Sequence, residues 1–440
     1  MTNKLTLPIA VLALTALSGC GIFKGGDKKT PVVGNRVPIL VAESGTDVDP
    51  ALAGQDVLLP PATANDAWTQ PGGSPAKSMG HLALADQPSR AWTARIPGGN
   101  TRVRLGAAPV VAGGRLYVVD VEGVVHAFDA STGAAVWKTP TAKDQGKSPA
   151  RFGGGVSVDG ERLYATNGLG DVVALNTADG AEVWRAKPGG PLRGAPGVGL
   201  GDIFVITQDN QLFALNAADG KTVWTQSGSL ETQGVFGVAA PAIAQGTVVA
   251  GYSSGELNAY RYENGRTLWG DSLSRTSMST SVSALADIDA EPVIDQGRVF
   301  AVGQGGRMVS LEIVSGQRIW EQNIAGISTP WVAGEWLFVV DNEARLLCMA
   351  RGTGRVRWIG SLGRWRNEKK KKGSISWVGP VLAGNRLWTL SSQGTIASIN
   401  PADGSVGARI ETKGSYTLPP VVANSTLYTL SDQGELSAYR

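Results

Sequence analysis

The sequence holds only two Cys and two His among 440 residues. Protein zinc and iron centres draw mainly on these ligands, and disulfide scaffolds need several Cys pairs, so both classes are disfavoured. Net charge is equally scarce. Forty Lys and Arg face 37 Asp and Glu, leaving a formal charge of +3. A nucleic-acid binder must neutralise many phosphates with a basic surface, so no nucleic-acid partner is expected. The longest apolar run, residues 5–17, falls short of the roughly 20 residues that span a bilayer as a helix. Catalytic arrangements are also missing. His81 and His126 have no Ser or Cys nucleophile in a recognisable setting. Gly153, Gly154 and Gly155 precede a strand pattern, whereas a phosphate cradle opens a helix. No catalytic, cofactor or metal residues are assigned.

What the sequence does have is Gly, 59 residues of it, and 13 Trp against eight Phe and eight Tyr. Much Gly without a collagen period points to many tight turns, as in an all-β protein. The Trp residues fall in phase with an internal repeat. One unit contains Gly170-Asp171-Val172-Val173-Ala174-Leu175-Asn176, then Asp179-Gly180, then Trp184. The same 14-residue step from the first position to Trp recurs from Gly123, Asn210, Gly255, Gly306 and Ala344. It recurs once more from Gly394, where Ala408 replaces the Trp. Upstream, Pro109, Pro196, Pro241, Pro292, Pro330, Pro380 and Pro420 each precede that first position by another 14 residues, with Val156 as the exception.

Each unit reads as four short strands. In the second they are expected at 155–158, 162–166, 171–176 and 182–186, with Asp-Gly turns supplying the positive φ that tight hairpins need. A lone four-stranded sheet cannot bury both faces, and stacking such sheets around an axis can. The repeated Trp is the expected wedge between neighbours. The eighth unit, from Gly434, ends at Arg440 without a fourth strand. The stretch Arg90 to Ile96, with Trp92 in the Trp phase, supplies it. The expected fold is therefore an all-β, eight-bladed β-propeller of four-stranded blades over residues 86–440, closed by an N-terminal strand that completes the C-terminal blade.

Ahead of the propeller, residues 1–19 read as a lipoprotein signal peptide. Lys4 gives a basic start, and Leu17-Ser18-Gly19-Cys20 resembles a lipobox. Cys20 is the expected lipidation site, placing the chain on the membrane through a lipid anchor; Gly21 after it favours the outer membrane. Cys348 is left without a disulfide partner and falls in a strand, where it reads as a small buried hydrophobe. Residues 20–85 read as a flexible tether, with Trp68 and Gly80-His81-Leu82 as stretches that dock locally.

All length variation falls between one Trp and the next blade-opening residue, in connections that a propeller presents on one face. Variable loops on one face of a rigid scaffold carry binding sites. Two connections stand out. One holds Pro191-Leu192-Arg193-Gly194-Ala195-Pro196, and the longest holds Ser283 to Pro292, with Asp287 and Asp289. An exposed Leu, an Arg and paired Asp suit a protein interface. Solvated or calcium-binding carboxylates are the competing reading of the Asp pair. A third connection carries Arg364-Trp365-Arg366 and the run Lys369 to Lys372. It suits anionic lipid or an acidic partner, although a solvated loop is the simpler reading.

The phrase Ala-x-Asn-x-x-x-Gly-x-x-x-Trp, as in Ala174 to Trp184 and Ala214 to Trp224, resembles the repeat of pyrroloquinoline-quinone enzymes. With the lipobox and eight units, the chain resembles the BamB family, propeller lipoproteins of the outer-membrane β-barrel assembly (BAM) machinery. That resemblance implies a non-enzymatic scaffold on the periplasmic face of the outer membrane. Its implied partners are a POTRA domain of the central BamA subunit, the rest of the BAM complex and unfolded outer-membrane protein precursors. It implies partner-binding roles for Leu192, Arg193, Gly194, Asp287 and Asp289, with Arg193 paired to an acidic group on the partner and Leu192 filling a small pocket there. Where the family has a further Leu, this chain has Gly190. Two rival readings are a quinone-dependent dehydrogenase and a ligand-sensing propeller. The first would carry a vicinal Cys pair and a calcium site, and no adjacent Cys pair exists here.

Overall fold

The structure is a computed structural model describing residues 46–100, 103–142, 153–230, 240–274 and 286–440. Cys20, the signal peptide and the first part of the tether lie outside these residues, as do Ser283, Ala284 and Leu285.

The repeat folds as an eight-bladed ring of four-stranded antiparallel sheets. Blade 1 runs through Val110–Ala112, Arg115–Val119, Val124–Asp129 and Ala135–Pro140. Blade 2 runs through Val156–Asp159, Arg162–Thr166, Val172–Asn176 and Glu182–Ala186, each within a residue of the expected bounds. Blades 3 to 7 repeat the plan, beginning with Gly197–Gly199, Ala242–Ala244, Val293–Asp295, Trp331–Ala333 and Trp377–Ala383. In blade 8, Val421–Ala423, Thr426–Leu430 and Glu435–Tyr439 are joined by Arg90–Arg95, which pairs antiparallel with Glu435–Tyr439. An N-terminal strand thus completes the C-terminal blade as its fourth strand.

In blades 1, 2, 3, 5, 6 and 8 the Trp of the fourth strand acts twice. In blade 3 Trp224 tilts against Phe204 of its own blade, with ring centroids 5.7 Å apart. Its indole N–H donates to the Tyr262 carbonyl of blade 4 at 2.6 Å. Trp184 reaches Ala217 in the same way, and Trp320 reaches Arg351. At the closure Trp92 donates to Ala130 of blade 1. A Gly in the next blade's last turn lies against each of these indoles. Gly220 has φ of +72, and a Cβ there would stand 2.5 Å from the ring of Trp184. Gly201, at φ +85, has open space around it. Gly220→Ala is therefore expected to lower stability by about 3 kcal/mol through backbone strain and overpacking, and Gly201→Ala by about 1 kcal/mol through strain alone. Urea midpoints of the two variants check this.

Residues 46–85 are not a flexible tether, contrary to the reading from composition. Residues 60–85 form a strap lying along the inner strands of all eight blades, while the preceding segment runs along the fourth strand of blade 6, where Val48 bridges Val356 and Arg357 donates to the Gln55 carbonyl. Trp68 and Val111 exchange two backbone hydrogen bonds in blade 1, at 2.7 and 2.8 Å. The N–H groups of Val158, Ile243 and Ile294 donate to Thr69, Pro75 and Ala76 in blades 2, 4 and 5. In blade 3 Val198 donates to the Gln70 side chain. The Trp331 indole of blade 6 donates to Gly80, the Leu82 N–H donates to Leu382 of blade 7, and Asn424 of blade 8 donates to Asn65. The physical reason is the inner edge. A first strand pairs with only one neighbour, so its other side presents peptide groups that need partners once buried. The strap supplies them and adds apolar cover: Trp68 is 3% exposed and Leu82 1%. His81 is buried as well, with Nδ1 2.7 Å from the Pro60 carbonyl and Nε2 accepting from the Asn385 N–H.

Candidate functional site

In each blade the turn between strands two and three opens on the same face as the connection arriving from the preceding blade. Both singled-out connections lie against such turns. Along the first, Leu192 forms an antiparallel bridge with Thr207, and the Arg193 N–H donates to Ile206 at 2.9 Å. The Thr166 hydroxyl of blade 2 donates to the Gly194 carbonyl at 2.7 Å. Along the second, the Ile288 N–H donates to Tyr252 and the Gln304 N–H donates to Asp287.

Three expected site residues meet directly. The Arg193 Nη2 donates to Asp287 Oδ1 at 3.3 Å and to Asp289 Oδ1 at 3.4 Å. Arg193 belongs to the entry of blade 3 and the two Asp to the entry of blade 5, so this clasp bridges past blade 4. Gln304, in a turn of blade 5, also donates to Asp289. Burial, then the neighbouring Asp287, push the Asp289 carboxyl up to about 6, against the opposing pull of Arg193 and Gln304. Arg193 Nη1 is buried and has no hydrogen-bond partner among the described residues.

This corrects the expectation of exposed contact residues. Leu192 is 0% exposed, Asp287 1%, and Arg193 and Asp289 7% each. Leu192 fills a pocket of its own chain, packed among Tyr164, Val172, Val205 and Phe213. The charge partners of Arg193 are internal. Nor are the Asp pair solvated, and among the described residues no group of three or more His, Cys, Asp or Glu could hold a metal.

Below the clasp the strap places Lys77. Its ammonium donates to Gln70 at 3.1 Å, and Gln70 in turn donates to the Val198 carbonyl. Burial lowers the Lys77 pKa, while the Glu291 carboxylate opposes that shift. Gln304, Lys77 and Gln70 were not singled out from sequence. Gln304 carried one available signal, its place in a turn on the same face as the connections. The strap residues carried none.

The residues do not fit a quinone site. Cys348 is a lone thiol buried in a blade 6 strand, where desolvation raises its pKa. The inner strands are already occupied by the strap.

A family model described as "Outer membrane protein assembly factor BamB" matches residues 61–151 and 123–360. The protein of that name from Shigella dysenteriae is 30% identical over 339 residues, covering 76% of this chain and 84% of its own. Its namesake from Escherichia coli gives the same identity and coverage. Among solved structures, BamB from Moraxella catarrhalis aligns with a TM-score of 0.66 at 19% identity, over 80% of this chain and 99% of its own. Quinohemoprotein alcohol dehydrogenase from Comamonas testosteroni aligns with a TM-score of 0.65 at 14% identity, over 86% and 81%. These two structural likenesses concern the fold.

Proposed function

Since this chain belongs to the BamB family of outer membrane protein assembly factors, we propose that it is a non-enzymatic scaffold of the BAM complex whose clasp face receives a POTRA domain of BamA. Cys20 anchors it by lipid to the periplasmic face of the outer membrane. Unfolded barrel precursors are further clients of the assembled complex.

The observation that carries this reading is the clasp. It draws together, from two separate connections, the Arg and the Asp pair that the family resemblance marks for partner contact. Because the Arg and Asp side chains satisfy one another, their main role is to hold the two connections in the shape that the partner reads.

The test must separate shape from folding. Arg193→Met combined with Asp287→Asn and Asp289→Asn removes every clasp charge at once. It leaves no buried ion unpaired, so the ring is expected to stay folded. Capture of the variant on immobilised BamA POTRA domains is expected to weaken at least about tenfold, the equivalent of about 1.4 kcal/mol. Unchanged capture by a folded variant would remove the clasp from the interface.

A further inference from the structure

We infer that a hairpin between blades 6 and 7 is a docking element for anionic phospholipid headgroups. Two short strands, Trp365–Asn367 and Lys372–Ser374, pair antiparallel and project from the connection that enters blade 7. Arg364, Arg366, Lys369, Lys370, Lys371 and Lys372 stand exposed on it, with Glu368 as the only acid. The hairpin therefore carries more positive charge than the whole chain's +3, and the remainder of the protein is net negative. That concentration makes it a local basic patch on an otherwise acidic molecule.

The Lys side chains are also free to act, whereas Arg366 donates to Gln393. None of the four Lys ammoniums has an ion-pair partner among the described residues, and the Arg364 contact to Glu343 is long, at 3.9 Å. Arg364 lies over the half-buried Trp365 ring, 5.4 Å from its centroid. An indole beside a cluster of cations matches the composition of membrane-interface segments.

The kind of cation selects lipid over protein as the occupant. Protein interfaces favour Arg, whose planar fork fixes geometry, and are depleted in Lys. Four successive Lys on a turn present mobile point charges. These suit a diffuse field of phosphates better than a shaped acidic patch. A lipidated Cys20 would keep the molecule near such a surface. The hairpin lies half a ring from the blade 3 entry that carries Arg193, so both sites can be engaged together. The inference does not depend on the POTRA reading.

The described fold lies wholly within residues 45–440, which form one compact unit. A chain starting at Gly45 therefore tests the hairpin without any acyl group. It is expected to sediment with phosphatidylcholine vesicles containing phosphatidylglycerol and not with phosphatidylcholine alone. Binding should collapse between 0.1 and 1 M salt, as the screening length falls from about 10 to about 3 Å. Replacing Lys369, Lys370, Lys371 and Lys372 with Gln should lower the partition roughly a thousandfold at low salt. Thermal unfolding should not move, since all four side chains are exposed. Equal binding to both vesicle types, or an unaltered partition of the Gln variant, overturns the inference. So does loss of BamA capture by the Gln variant with vesicle binding intact, which would assign the hairpin to a protein contact.

Discussion

Deleting residues 46–85 is expected to unfold the ring or leave it soluble only as a loosened state. Trp68→Ala alone should cost about 3–5 kcal/mol. The Trp68 indole stacks on Trp331 of blade 6, with centroids 6.1 Å apart and planes 16° from parallel, while its backbone pairs with blade 1. One residue thus ties together blades that are distant in sequence. Truncating its side chain leaves a cavity at the centre of the molecule, where surrounding strands cannot collapse to fill it. Deletion of the whole strap goes further. It orphans inner-edge peptide groups in several blades at once and uncovers the apolar face of Trp331, which Trp68 covers. Urea unfolding followed by fluorescence measures both variants. Trp68→Ala should shift the midpoint with little change in slope. A strap-deleted chain that unfolds at the parental midpoint would show that the strap is an ornament on a self-sufficient ring. Recovery of stability when residues 60–85 are added back as a separate peptide would show the opposite, because binding to the native state raises its apparent stability.

The second large effect belongs to Arg193→Ala. Removing the guanidinium leaves Asp287 and Asp289 buried against each other without their shared cation. Breaking one side of a buried ion pair typically costs about 3–5 kcal/mol, well beyond what the intact pair contributes. The loss should depend on pH in a definite direction. Asp289 already has its folded pKa raised from 3.8 to about 6, so between those values the folded state holds more protons than the unfolded one. Its stability contribution is therefore fully present below about pH 4 and falls as pH rises through 6. Without Arg193 the folded pKa of Asp289 moves higher still, because Arg193 is the stronger of the two groups that lower it. Arg193→Ala should then approach the parent near pH 4 and fall increasingly below it up to pH 8. Unfolding midpoints of the two proteins across that range test the sign. A gap independent of pH would mean that the cost comes from lost packing of the Arg stem, with the carboxylates playing no part.

Much of this molecule could be read from residue order because its information is periodic and local. A strand pairs with the next one along the chain, and Pro, aromatic, Gly and Trp recur at fixed spacing. Blade 2 consequently lies within a residue of its expected bounds, and Trp184 and Gly220 meet where the repeat phase says they must. Closure was also legible, since a missing fourth strand at Arg440 and a surplus one at Arg90 are two halves of a single count.

Local docking of Trp68 and of Gly80-His81-Leu82 was legible, but the continuous strap and the clasp were not. Residues 46–85 have no alternation, because their hydrogen bonds run to edges contributed by eight different blades and use backbone atoms that any residue type carries. Their Gly and Pro content reads as a tether, yet the same content suits an extended chain threading a narrow space. The clasp joins residues 94 and 96 positions apart. Spacing could place Arg193, Asp287 and Asp289 on a common face, and did so. It could not show that they face one another, because that depends on how far each connection leans toward the axis past blade 4. Local pattern sets which strands form and in what order they stack. Long-range geometry sets which side chains are left for a partner once the protein has satisfied its own.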